Sequence, residues 1–149
     1  MDQYIEVLKS YTEDEGLARE AAAYAAAHDA RGRLLGYFSK AAADSPRDFR
    51  WPLVQARIDT SLEDLSAAIE AYSRATAIRP DRVDLYIARA SLEERLMRFE
   101  DALKRYTKLY DLTYHTPHWM EKAAEVHARQ GRRSEAVEAL RKAFIEGRP

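Results

Sequence analysis

Three histidines, His115, His118 and His127, lie close together with Glu121 among them, the one grouping in this chain whose residue types suit a metal. Neutral imidazole is a good zinc ligand. The spacing is poor, however: His115 and His118 straddle Pro117, and His127 falls about two and a half turns along the following helix at 3.6 residues per turn. The chain has no cysteine to complete such a site, so these residues read as turn and surface histidines and no metal is expected. His28 ends an alanine-rich stretch, where a polar or cationic side chain suits the negative end of a helix. Two acidic pairs, Glu93-Glu94 and Glu100-Asp101, flank a turn. They fit helix starts, where carboxylates meet the positive helix end, better than the paired acid and base of a glycosidase. No serine occupies a nucleophile elbow and no glycine-rich loop is present to cradle phosphate. The sequence therefore offers no catalytic residues and no cofactor, and a non-enzyme is expected. Arg129, Arg132, Arg133, Arg141 and Lys142 would let a helical face track a nucleic-acid backbone. The aromatics needed as stacking platforms fall instead on positions that look buried, which leaves nucleic-acid binding a minor alternative.

Bulk properties agree. Lysine plus arginine number 24 and aspartate plus glutamate 25, so the 149-residue chain carries a net charge of -1 and exerts no broad pull on nucleic acid or an anionic membrane. Charge drifts from roughly -3 over 1–48 to roughly +2 over 117–149, a mild gradient. The lack of cysteine removes disulfide scaffolds and thiol chemistry. No apolar run approaches membrane-spanning length and no leader opens the chain. A cytoplasmic place is the default expectation, with no membrane partner.

What positions these residues is a repeat. A step of 34 residues recovers the same residue classes through the whole chain: Ala22, Ala56, Ala90 and Ala124; Ala68, Ala102 and Ala136; and Tyr4, Phe38, Tyr72, Tyr106 and Leu140. Two further ladders, Leu17/Trp51/Leu85/Trp119 and Leu35/Ile69/Leu103/Val137, are large and apolar, and Pro46 and Pro80 follow helices. A fixed period of this length signals stacked helix pairs, each burying one stripe on its own partner and another on the next pair. One domain over 1–149 is expected, with a partial helix at 2–11 and repeats at about 15–48, 49–82, 83–116 and 117–149. Thr12 to Glu15 supply a helix cap. Thr60 or Ser61 starts another, with Glu63 and Asp64 in the first turn of a helix over 62–78. Pro52 is tolerable only in the first turn of a helix over 47–60. A join near Met97 and Arg98 separates two helices, Gly131 ends the helix at 117–130, and Gly147 breaks the last one.

The repeat resembles the tetratricopeptide family. The residues that carry the resemblance are Ala90, Ala102 and Tyr106; Ala68, Tyr72, Ala75 and Pro80; and Ala124, Gly131, Ala136 and Ala143, with the leading aromatic kept as Tyr86. The family's following leucine is replaced by Gln55, Arg89 and Ala123. The resemblance implies an all-α, right-handed solenoid of antiparallel helix pairs and a protein- or peptide-binding scaffold. It places Arg19, Arg50, Leu53, Arg57, Asp84, Ile87, Ser91, Glu94, Arg95, Glu121 and Glu125 on the concave face. The family's groove for chaperone carboxyl termini would fall on Arg19, Ala23, Val54, Asp84 and Ala88. The missing asparagines and the intruding Asp84 argue against that specificity.

An alternative reading is a structural or self-associating module without a peptide ligand, or a repeat made for the study of folding. The 2–11 segment has Tyr4, Val7, Leu8 and Tyr11 on roughly one side, and reads either as the second helix of a preceding repeat or as a cap. The last helix keeps Val137, Leu140 and Ala143 with Phe144 and Ile145 beside them. Ends that carry internal-repeat residues are expected to be incomplete in isolation, or to associate with another copy through Tyr4, Val7 and Leu8 or through Phe144 and Ile145.

Overall fold

The computed structural model describes residues 1–145; the expected break at Gly147 lies outside the described residues. Every regular element among them is an α-helix, and the helices fall into two compact units, residues 1–80 and 81–149. Unit 1 contains α1 (Asp2–Ser10), α2 (Glu15–Ala27), α3 (Arg31–Asp44), α4 (Arg50–Ser61) and α5 (Leu65–Ile78). In unit 2 are α6 (Val83–Arg95), α7 (Phe99–Leu112), α8 (Pro117–Arg129) and α9 (Arg133–Ile145). The hairpins α4–α5, α6–α7 and α8–α9 are the most extensively packed pairs, whereas α2 and α3 meet each other less and both lean on α4. Composition explains the difference: α2 buries only alanines along its face, Ala18, Ala21, Ala22 and Ala25, so it has little side chain to interlock with α3.

The period is written into the backbone as well as the side chains. The turn inside each hairpin contains one residue in the left-handed region, at Asp29, Glu63, Met97 and Gly131, each 34 after the last. Around it the amide of Ala30, Asp64, Arg98 or Arg132 donates to the carbonyl of Ala25, Asp59, Glu93 or His127 at 2.8 to 2.9 Å. This is the six-to-one bond of a Schellman cap, which satisfies a helix-end carbonyl. Only the fourth turn uses glycine. A side chain in this conformation costs about 1–2 kcal/mol, partly offset by the greater entropy that glycine loses on folding. Met97 is 72% exposed, so Met97→Gly sacrifices no packing. It should raise stability by roughly 0.5–1 kcal/mol, and Gly131→Ala should lower it by a similar amount; urea unfolding of the two variants checks the pair.

Helix starts follow local chemistry. Asp14 accepts from the Leu17 amide at 3.0 Å and Asp64 from the Ala67 amide at 3.3 Å. The second case corrects the expectation of a cap at Thr60 or Ser61. Both belong to α4, where the Thr60 hydroxyl donates to the Ala56 carbonyl at 2.7 Å. Pro52 is the third residue of α4 and buried, within the first turn where an amide hydrogen has no helical partner.

The ladders are the core. Phe38, Tyr72 and Tyr106 are buried, as are Ala22, Ala56, Ala68, Ala90, Ala102 and Ala124. Tyr4 is half-buried, its ring 5.1 Å from that of Tyr24 and its hydroxyl donating to Glu20 at 3.3 Å. Two expectations need correction. In α1 the inward side chains are Ile5 and Leu8, which pack into the unit 1 core with Ala22 and Phe38, whereas Val7, and Tyr11 just beyond the helix, face solvent. In α9 Leu140 remains 38% exposed and Ala136 half-buried. Tyr106, the counterpart of Leu140, is covered by α8 through a stacked contact with Trp119 at 6.3 Å; no described helix covers α9 in that way.

Candidate interaction surface

The residues expected on a binding face divide by what holds them. In unit 1, Arg19 is exposed on α2. Arg50 is clamped by Asp48 through bonds of 2.6 to 3.1 Å, and the guanidinium keeps the Asp48 carboxyl below its usual range. Leu53 is fully buried and belongs to the core. The Arg57 side chain is 10% exposed and donates to the Thr12 carbonyl at 3.3 Å and to Glu15 at 3.2 Å. Arg57 therefore ties α4 to the start of α2.

Unit 2 is different. Along α6, Asp84, Ile87, Ser91 and Arg95 recur at steps of three and four, so they share one side of the helix, and all four are exposed. Ile87 is an apolar side chain left 41% exposed in the middle of that stripe. On α8, Glu121 and Glu125 share a side in the same way; Glu125 has a loose contact with Lys122 at 3.4 Å, and Glu121 forms no ion pair among the described residues. Glu94 is mostly withdrawn, accepting from the Tyr106 hydroxyl and, at 2.9 Å, from Arg129. Burial and this carboxylate push the Tyr106 phenol well above its ordinary range. Asp84 accepts from Arg82 at 2.7 and 2.9 Å.

Beneath that surface lies a charged interior that the sequence reading missed. Glu93 sits near the C-terminal end of α6, not at a helix start, and its side chain is 1% exposed. Arg105 of α7 donates to it at 3.2 Å, and Arg89 stands 3.8 Å away. Burial raises the Glu93 pKa against the pull of the two arginines, and burial with the nearby Arg105 lowers that of Arg89. Glu100 and Asp101, by contrast, occupy the first turn of α7 as expected. A signal for the buried set existed: positions 59, 93 and 127 are one ladder, and it carries Asp59, Glu93 and His127.

Asp59 is the unit 1 member, 7% exposed, and burial reinforced by Asp64 raises its pKa from 3.8 to about 6 although Arg74 opposes the shift. The folded state thus holds a proton more tightly than the unfolded chain. Between pH ~4 and ~6 stability falls as pH rises, and above pH ~6 the penalty is complete, of order 2–3 kcal/mol. Asp59→Asn should stabilise the protein by about that much at pH 7 and leave it unchanged near pH 4. Urea midpoints at the two pH values test this.

The histidines and arginines are dispersed. His28 caps α2, its Nδ1 2.9 Å from the Tyr24 carbonyl. His115 stacks on Tyr110 at 4.6 Å, and His118 meets Trp119 edge-on at 4.7 Å. Among the described residues no three histidine or carboxylate side chains converge as metal ligands, and none of the helices is long and apolar enough to cross a membrane. Arg129 and Arg132 are engaged with Glu94 and Glu100, and Lys142 lies 5.2 Å over the Tyr110 ring.

Comparison with known proteins adds the fold. No protein-family model matches the sequence, and no curated protein matches it. Solved structures do. A crystal structure of MamA superposes over 95% of this chain and 82% of its own, with a TM-score of 0.63 at 17% identity. MamA AMB-1 gives 0.64 over 99% and 91% at 17% identity, and MamA MSR-1 gives 0.61 over 96% and 91% at 16%. The chain shares the MamA fold. With its 34-residue ladders and repeated turns, it is a tetratricopeptide-like, all-helical repeat. At this identity the likeness carries architecture and no more.

Proposed function

We propose that the chain is a non-enzymatic scaffold that binds a protein or peptide segment along the first helices of unit 2, α6 and α8. One observation carries the reading: Ile87 stands exposed in a polar stripe while, among the described residues, no arginine pairs with Glu121 or Glu125. The segment that fits has an apolar side chain for Ile87 and lysine or arginine for the two carboxylates, since complementary charge sets register and encounter. Arg57 and Glu94 hold the fold together, so their substitution tests stability and not recognition.

A displayed library of random peptides tests the proposal. Enriched sequences should pair an apolar residue with basic ones, and their affinity should fall about tenfold or more in Ile87→Asp and in Glu121→Lys/Glu125→Lys. Binders indifferent to both variants, or no enrichment, would refute it. A second reading, self-association, is supported by α9, where Val137, Phe144 and Ile145 are 51%, 76% and 74% exposed. Large apolar side chains left exposed together on one helix are suited to contact with another copy. Sedimentation over a concentration series should then show mass rising with concentration, and Phe144→Lys should abolish the rise; a constant monomer rejects it. The other expected surface, Tyr4 with Val7 and Leu8, is no longer a candidate as a whole because Leu8 is in the core.

A further inference from the structure

One helix of the chain carries the chemistry asked of the ligand for α6 and α8. On α9, Arg133, Val137 and Arg141 follow one another at steps of four, and Val137, Leu140 and Phe144 at steps of three and four. All five therefore share one side of the helix, and all five are exposed. Neither arginine forms an ion pair with another described residue. Arg141 stands between Val137 and Phe144, so guanidinium and apolar side chains alternate along the stripe. One repeat earlier the counterparts of Leu140 and Phe144 are Tyr106 and Tyr110, buried in one cluster with Met120 and Val126 of α8. No described helix covers the side of α9 in that way.

We propose that the α9 stripe of one copy docks on the α6–α8 face of a second copy, so that the chain assembles head to tail. The inference rests on the peptide-binding reading of that face and names its partner. Ile87 and Glu121 hold equivalent positions on α6 and α8, as do Ser91 and Glu125. The receiving face thus presents an apolar side chain on one helix and two carboxylates on the next. Arg141 of the incoming helix meets Glu121 and Glu125, and Val137 or Phe144 meets Ile87. The opposite side of α9 carries Glu135 and Glu138, and would bring like charges against those carboxylates. The three helices have 13 residues each, about 20 Å at 1.5 Å per residue, and an amphipathic helix laid along a complementary face is a recurring mode of recognition. Because the contact joins two different surfaces, it is heterologous: each copy gives α9 to one neighbour and receives α9 from another, and growth need not stop at a dimer.

The one-way contact is tested by mixing variants of the full chain in the ultracentrifuge. The wild-type chain should grow past the dimer as its concentration rises. Ile87→Asp disables the receiving face, and Val137→Ser/Phe144→Ser disables the donated stripe; both change exposed side chains. Each variant alone should stay monomeric where the wild type associates, its affinity reduced about tenfold or more. Mixed in equal amounts, the two should form a one-to-one dimer and nothing larger, because one intact stripe meets one intact face. Misfolded variants could not restore binding in this way. Arg133→Glu/Arg141→Glu should also weaken association about tenfold. A wild-type chain that stays monomeric, association that persists in Ile87→Asp alone, a mixture that remains monomeric, or indifference to the arginine changes would overturn the proposal. If library peptides still bind such a chain through Ile87, the face stands and its occupant is another protein; if they do not, the peptide-binding reading falls as well.

Discussion

Glu93→Ala should destabilise the protein by about 3 kcal/mol, the lower part of the range for breaking a buried ion pair, and this is the largest effect expected of any single charged residue here. The Glu93 side chain is 1% exposed and is the anion shared by Arg105 at 3.2 Å and Arg89 at 3.8 Å, whose side chains are only 17% and 15% exposed. Removing it leaves two cations facing each other in a space with little water. A stability of 5–15 kcal/mol is ordinary for a domain, so such a loss is a large fraction of the whole. Replacing all three residues together by apolar ones of similar volume should be far milder, since the desolvation cost of the charges disappears with them. Urea unfolding of Glu93→Ala and of the triple variant distinguishes a required ion cluster from simple space filling. Equal losses in both would mean that shape, and not charge, holds the hairpin.

Tyr106→Ala should cost about 3–5 kcal/mol, as expected for deleting a buried aromatic ring. The ring is 3% exposed, stacks on Trp119 across the α7–α8 boundary, and its hydroxyl donates to Glu94, which also receives Arg129 of α8. Tyr106→Phe keeps the stacking and loses only a hydrogen bond to a charged group, about 1.5–3 kcal/mol. A thermal melt in which the alanine variant matched the phenylalanine variant would show that the ring contributes nothing beyond its hydroxyl.

These two residues also mark the limit of what the sequence discloses. Tyr106 was legible as a member of a 34-residue ladder, and so were the buried alanines, because a repeat fixes side-chain class at fixed positions. Glu93 was not, since an acidic residue beside a turn resembles a helix start and its two arginine partners approach from a turn earlier and from another helix. The hairpin turns were legible at Met97 and Gly131 but not as a set: Asp29 and Glu63 adopt the left-handed conformation without glycine's signature. Leu140 shows the converse failure. It occupies a ladder position but remains partly exposed, because burial depends on the neighbour that covers a residue as well as on its type. The candidate face was legible only in part. The stripe on α6 was an expectation of the tetratricopeptide resemblance, with which the shared side and exposure of Asp84, Ile87, Ser91 and Arg95 agree, whereas the withdrawal of Leu53, Arg57 and Glu94 follows from tertiary contacts that a repeat pattern does not reveal.

The most direct test of the scaffold reading is site-specific photo-crosslinking in the source cell. A benzophenone side chain would be placed singly at Ser91 on α6, at Glu125 on α8 and, as a control, at the exposed Lys40 on α3. The account expects one and the same protein adduct from Ser91 and Glu125, lost on Ile87→Asp, and none from Lys40. Adducts of equal yield from all three positions, or from Lys40 alone, would contradict a binding face on the first helices of unit 2.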